Sequence, residues 1–185
     1  MNLMSGTTAF DLSKLSYLTD GSLKDAMRHL TGGVSVITAG RAEGRTGLTV
    51  ITAHSLSMDP ALMIVSVNRD SSSYAAITGN RHFCVNILDG EQKEVAERFS
   101  GKDGIRGRDR YEGQSWSVLA TGALALDGAL ANIDCALTDT IERHSHALFI
   151  GEAKAVRVSA LRRPQLVYQH GAYGAYPDAA NGESA

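Results

Sequence analysis

The chain has 185 residues, 43% of them apolar and 21% charged, with a formal charge of −2. That length sustains one domain with its own core and needs no metal or disulfide staple. The slightly acidic balance, with no local basic cluster, argues against a nucleic-acid binder, and the longest apolar run, Ala61–Val65, is far too short to span a bilayer.

The opening MNLMSGTTAF lacks a basic segment followed by a long apolar one, so no signal peptide is expected and the cytoplasm is the expected compartment. Cys84 and Cys135 each sit in an apolar stretch with no CxxC pair, which predicts two buried thiols in a reducing environment. Residues 1–20 and 178–185 are polar and irregular and read as flexible ends around one domain spanning 21–177.

In chain order, Ser22–Leu30 reads as a helix capped by Ser22 with Asp25, ended by Gly32 and Gly33. VSVITA (34–39), LTVITAHSL (48–56) and ALMIVSV (61–67) read as strands at hairpin spacing, hence an antiparallel meander. SSSYAAITGN (71–80) reads as a short helix capped by one of its serines, and HFCVNIL (82–88) as a strand. Asp89 and Gln92 then form a capping box for a helix over 91–99, with Val95, Ala96 and Phe99 on its apolar face. Residues 100–115 form a long, charged, glycine-rich connection of the kind that is often functional or mobile. Further strands are predicted at 122–126, 131–142, 147–158 and 166–168. Seven or more strands with short helices and no strand–helix alternation favour a closed β-barrel over a doubly wound sheet.

The standard nucleotide and hydrolase signatures, GxxxxGK[ST], GxGxxG after a strand and GxSxG, are absent. His144 with His146, and His82 with Cys84, would each share a strand face, but nothing brings the two pairs together as a zinc site. NRDSSSY (68–74) follows a buried strand and opens a helix, offering N–H groups, hydroxyls and Arg69 to a phosphate monoester; a plain serine-capped loop is the alternative. Thr46, Thr49 and Thr52 are three apart and cannot all share one face of a regular strand. Either the strand bends or both faces have polar work, as beside a planar polar ligand. YQHGAYGAYP (168–177) packs three tyrosines, a histidine and two glycines into a loop that suits stacking on a ligand or simple anchoring of the chain end.

Taken together, MRHLTGGVSVITAG, GRTGLTVITAHSLSMDPALMIVSVNRDSSSYAAITGNRHFCVNIL, QKEVAERFSG, HALFIGEAKAV and LVYQHGAYG resemble the flavin reductase family, the reductase components of two-component flavin-dependent monooxygenases. The resemblance spans Leu23 to Tyr176. It departs from the family where a second proline is common, at Ala61 after Pro60. It implies a mainly β fold with short helices, the FMN-binding split barrel of antiparallel Greek-key type. It also implies hydride transfer from NADH or NADPH to FMN or FAD, a homodimer, and a partner oxygenase that takes the reduced flavin.

Position by position, the resemblance assigns Arg45, Thr46, Gly47, Leu48, Thr49, Ile51 and Thr52 to the flavin ring. Ser66, Val67 and Asn68 go to the ribityl chain, and Ser72 and Ser73 to the phosphate. Arg98 and Phe99 form a second flavin-contacting pair, His146 is the catalytic candidate, and His170, Gly171 and Tyr173 make the nicotinamide-side loop. No metal is implied. Such chemistry resides in the cofactors, which is consistent with the missing nucleophile motifs. The same barrel would also serve a flavin carrier or electron-transfer module, or an enzyme like pyridoxamine-phosphate oxidase.

Overall fold

A computed structural model describes residues 20–176, so the expected flexible ends lie outside the described residues, as does the Ser22 cap side chain. Helix α1 (Asp20–Arg28) leads into a two-residue strand β1 (Gly32–Gly33), then β2 (Ser35–Ala39), β3 (Thr46–Val50), β4 (His54–Met58) and β5 (Ala61–Asn68). Helix α2 (Ser72–Asn80), β6 (His82–Ile87) and α3 (Lys93–Ser100) follow. The second half holds β7 (Trp116–Val118), β8 (Leu124–Leu126), the long pair β9 (Ala131–Arg143) and β10 (His146–Val158), then β11 (Gln165–Gln169) and β12 (Ala172–Tyr176).

Seven strands form one antiparallel sheet in the order β3-β2-β6-β9-β10-β5-β4. Consecutive strands β5 and β6 are held apart by the β9–β10 hairpin, a Greek-key arrangement, and α2 carries the chain between them. The two edges, β3 and β4, are also consecutive, joined only by residues 51–53. Four Cα–Cα steps reach ~14 Å at most, so the sheet must curl until its edges nearly meet. They are not hydrogen-bonded to each other, and the barrel is split rather than closed.

The expected single strand at 48–56 is therefore two strands on opposite edges. The meander is correct only within each hairpin, β2–β3 and β4–β5. The physical reason was visible in the threonines. Thr46 Oγ1 lies 2.8 Å from Ser72 Oγ, Thr49 Oγ1 donates to the Ala96 carbonyl at 2.6 Å, and Thr52 Oγ1 donates to the Ser66 carbonyl at 3.4 Å. Three hydroxyls bond to three different elements, α2, α3 and β5, and a straight strand cannot supply that.

Strand β2 is buried along its whole length and feeds two cores. Ile37 and Ala39 join Val65, Phe83, Phe149 and Ile77 on one side. Val34 and Val36 join Leu88, Val95, Phe99, Tyr111 and Leu166 on the other. The predicted face of α3, Val95, Ala96 and Phe99, is the one it buries. The expected box closes the turn before α3 rather than capping the helix, which begins at Lys93 with no side-chain cap: Gln92 Oε1 accepts from the Asp89 N–H at 2.9 Å, and Asp89 Oδ1 accepts from the Glu91 N–H at 2.8 Å. Ser71 caps α2, its hydroxyl accepting from the Tyr74 N–H. Both cysteines are free and buried. Burial, with Asp134 beside it, pushes the Cys135 thiol up to about 12, and burial raises Cys84 as well.

Candidate functional site

Edge strand β3 organises the candidate site. An edge strand leaves half its backbone groups without a strand partner, and here that edge is clothed by helices and a turn rather than left bare. The long 100–115 connection folds into short 3-10 turns, and its Tyr111 hydroxyl donates to the Thr46 carbonyl at 2.6 Å while Arg110 donates to the Gly47 carbonyl. Burial raises the Tyr111 pKa, so the hydroxyl stays a donor. Tyr111 stacks edge-on with Trp116 and Phe99, ring centroids 4.8 and 5.1 Å away.

Gly47 is glycine because a Cβ there would lie 2.5 Å from the Ile37 carbonyl oxygen and 2.7 Å from the Phe99 ring. This relocates two of the expected contact residues. The Phe99 side chain is 1% exposed and packs behind β3 in the second core, where it faces no ligand. Arg98 bonds to the Asp109 and Arg110 carbonyls and pairs with Glu112 at 3.7 Å, so it fastens the 107–112 turn.

Beyond Thr49 the strand borders a cavity of about 650 Å³. Val34, Thr49, Val50 and Ile51 form one wall, Lys93, Glu97 and Ser100 of α3 another, and Tyr168, Gly171, Ala172 and Tyr173 of the β11–β12 hairpin the third. Gly32 sits beneath Ile51, where a Cβ would be 2.7 Å from the isoleucine Cβ, so β1 keeps that wall clear. Tyr168 and Tyr173 meet edge-on at 5.1 Å, and burial, then Tyr168, raises the Tyr173 pKa. The Glu97 carboxyl is held below its ordinary range by a hydrogen bond from Lys102 at 2.9 Å.

At its other end β3 meets the start of α2. Thr46 and Ser72 are hydrogen-bonded, Ser73 is 1% exposed, and the Ser73 hydroxyl and Arg45 Nε are buried with no partner among the described residues. The Arg45 guanidinium also lies over the Tyr111 ring, 5.2 Å from its centroid. Thr46 to Val50 spans ~13 Å at strand rise, so the strand links this polar end to the cavity.

The other expected residues divide between these places. Ser66, half-buried, lies beside Thr52, while Val67 is fully buried in the first core and has no surface for a ligand. Asn68 anchors the turn into α2: its Oδ1 accepts from the Asp70 N–H and its carbonyl from Ser71. Leu48 packs partly buried against the first core. His146 stands opposite Asn68 in the β5–β10 register with Nδ1 2.9 Å from Ser145 Oγ, and it does not line the cavity. His170 sits at the hairpin tip and lines a smaller cavity beside α1 rather than this one. Among the described residues no three metal-ligating side chains cluster.

Sequence reasoning missed Lys93, Glu97 and Ser100 as cavity residues. They occupy the polar face of α3 at i, i+4 and i+7, a pattern legible in the sequence, although nothing there indicates that this face overlooks a cavity.

The fold and site thus define a split barrel whose covered edge strand borders a cavity at one end and meets the polar start of α2 at the other. The chain belongs to the flavin reductase like domain family, which matches residues 27–177. FMN reductase (NADH) RutF 2 of Rhizobium rhizogenes is 34% identical over 134 residues, 72% of this chain and 76% of the relative. The 4-hydroxyphenylacetate 3-monooxygenase reductase component of Pseudomonas aeruginosa is 31% identical over 137 residues, 74% and 81% of the two chains. The structure of BorF, the flavin reductase component of a bacterial two-component tryptophan halogenase, superposes with a TM-score of 0.79 at 28% identity, covering 86% of this chain and 99% of BorF.

Proposed function

We propose that the chain is an NAD(P)H:flavin oxidoreductase that supplies reduced FMN or FAD to a separate flavin-dependent oxygenase. The observation that carries this reading is the cavity beside β3, on a strand whose other end meets the start of α2. At the Thr46 end of β3 the start of α2 presents the Ser72 hydroxyl and the N–H groups of the helix N-terminus, a setting suited to an anionic oxygen. At the other lies a cavity with aliphatic and tyrosine side chains on two walls and Lys93, Glu97 and Ser100 on the third. A flavin monophosphate has this same division between a phosphate and a flat ring.

When bound, the flavin supplies the redox chemistry by accepting a hydride from the dihydronicotinamide. The chain's part is to bind and orient. Thr46, Ser72, Ser73 and Arg45 would hold the phosphate end. Backbone N–H groups between Gly47 and Thr52, fixed by the strand, would meet developing negative charge without reorganising. Thr49, locked to α3, would border the ring, and Tyr173 with the 170–171 turn would position the second substrate, an entropic advantage. His146 belongs to the phosphate end in this reading, and hydride transfer needs no base from it.

We also read the chain as a cytoplasmic homodimer. Supporting this are the two free cysteines and an apolar groove of about 420 Å³ beside β4, where Met58 is 81% and Val156 60% exposed. No helix among the described residues is long and apolar enough to cross a membrane.

The reading is tested by following NADH oxidation at 340 nm with purified chain and added FMN or FAD. Turnover proportional to enzyme and dependent on flavin is expected; a rate no greater than the flavin-only blank, with both nucleotides, overturns it.

A further inference from the structure

A second cavity of about 300 Å³ adjoins the first, sharing Ile51, Tyr168 and Gly171 with it. Its outer wall is α1. Among the described residues, the charged side chains that line it besides His170 are Lys24 and Arg28, both basic, and Met27 and Leu30 supply apolar surface, 49% and 57% exposed. Lys24 and Arg28 are four apart on one helix, so they stand on one face with Cβ atoms about 6 Å from each other. The C-terminal end of α1 is fastened to the hairpin tip. The His170 N–H donates to the Arg28 carbonyl at 3.1 Å, Gln169 Nε2 donates to the His29 carbonyl at 3.1 Å, and the His29 and His170 rings meet edge-on at 4.6 Å. The two cations are therefore carried on an element tied to the rim of the main cavity.

We infer that this cavity binds the adenosine pyrophosphate half of the dihydronicotinamide dinucleotide, with Lys24 and Arg28 on the pyrophosphate and Met27 and Leu30 beneath the adenine. The inference rests on the reductase reading above and adds the place where the second substrate is gripped. Two cations one helical turn apart match two linked phosphates better than a single charge. The flavin phosphate is not a competitor for them, because its polar end lies at Thr46 and Ser72, the far end of β3 from Ile51. An anion on the α1 side consequently belongs to a different molecule, and Ile51, Tyr168 and Gly171 form the passage from it to the ring cavity.

The test compares NADH with 1-benzyl-1,4-dihydronicotinamide, which carries the same hydride donor without phosphates or adenine. In the double variant Lys24→Ala with Arg28→Ala, the ratio of kcat/KM for NADH to kcat/KM for the truncated donor should fall about tenfold or more. Lys24→Arg with Arg28→Lys should keep the wild-type ratio, since both charges remain. An unchanged ratio in the alanine variant, including an equal fall with both donors, overturns the inference. Wild-type chain that oxidises neither donor in the presence of flavin fails the reductase reading instead, and the two failures are distinct.

Discussion

The two edges of the seven-stranded sheet are treated in opposite ways. Strand β3 is mostly buried: α2, α3 and the 107–111 turn cover it, and its carbonyls at Thr46 and Gly47 accept from Tyr111 and Arg110. Strand β4 is exposed at four of its five residues and presents Leu56 and Met58 outward. An uncovered edge is a template for pairing or association, and proteins hide or blunt it. Here one edge is hidden by the chain itself and borders a cavity, and the other is left uncovered among the described residues. Each edge pairs with a single strand, but β3 is held in addition by buried bonds and close ring contacts.

The largest effect that would test this contrast is at Gly47. A valine there meets the Ile37 carbonyl and the Phe99 ring within 3 Å, and overpacking against backbone costs about 3 kcal/mol. Gly47→Val should lower Tm by many degrees and abolish flavin-dependent turnover, while Ser55→Val on β4 should stay within about 0.5 kcal/mol in denaturant unfolding. Next comes Tyr111→Phe, which leaves the Thr46 carbonyl without its buried donor. It should cost about 1–3 kcal/mol in urea unfolding. Thr49→Val removes the bond to Ala96 and should cost about 1 kcal/mol, with flavin dissociation accelerated in stopped-flow. On the exposed edge, Met58→Glu should leave monomer stability nearly unchanged and shift the light-scattering mass to that of one chain; a mass unchanged from wild type removes β4 from the subunit contact.

A further test concerns pH. Burial raises the folded Cys135 thiol to about 12 against an ordinary value of 9.0, so the unfolded chain ionises first. Stability from this group is present below pH 9 and is lost as pH rises toward 12. Cys135→Ala should flatten that alkaline decline in urea titrations. Wild-type thiols should also resist Ellman's reagent at pH 8 until the chain unfolds.

Much of the architecture was legible because burial has a period. The β-branched runs of β2, β5 and β6, the Val95–Phe99 face of α3 and the serine cap of α2 are local signals, and local physics decides them. The bend between β3 and β4 was legible only as a contradiction, three threonines that no straight strand could place. Strand β1 and strand β12 were not legible: two glycines and an AYGAY segment take strand form only through pairing with β11, distant in sequence from β1 and joined to β12 by a two-residue turn. The site divided likewise. Thr49, Ile51, Gly171 and Tyr173 do meet at one cavity, whereas Phe99 and Val67 are core residues whose burial depends on which face a neighbouring element covers. Family resemblance carries over a position but does not separate a residue that touches a ligand from one that supports its neighbour.

The claim that matters most is that the covered edge, from Ile51 to the start of α2, seats the flavin with its phosphate at Ser72 and Ser73. Fluorescence titration of FMN and riboflavin against wild type and Ser72→Ala with Ser73→Ala tests it directly. The account predicts that the variant loses about tenfold or more in FMN affinity while its riboflavin affinity stays near that of wild type. Equal losses for the two flavins, or none for either, would contradict it.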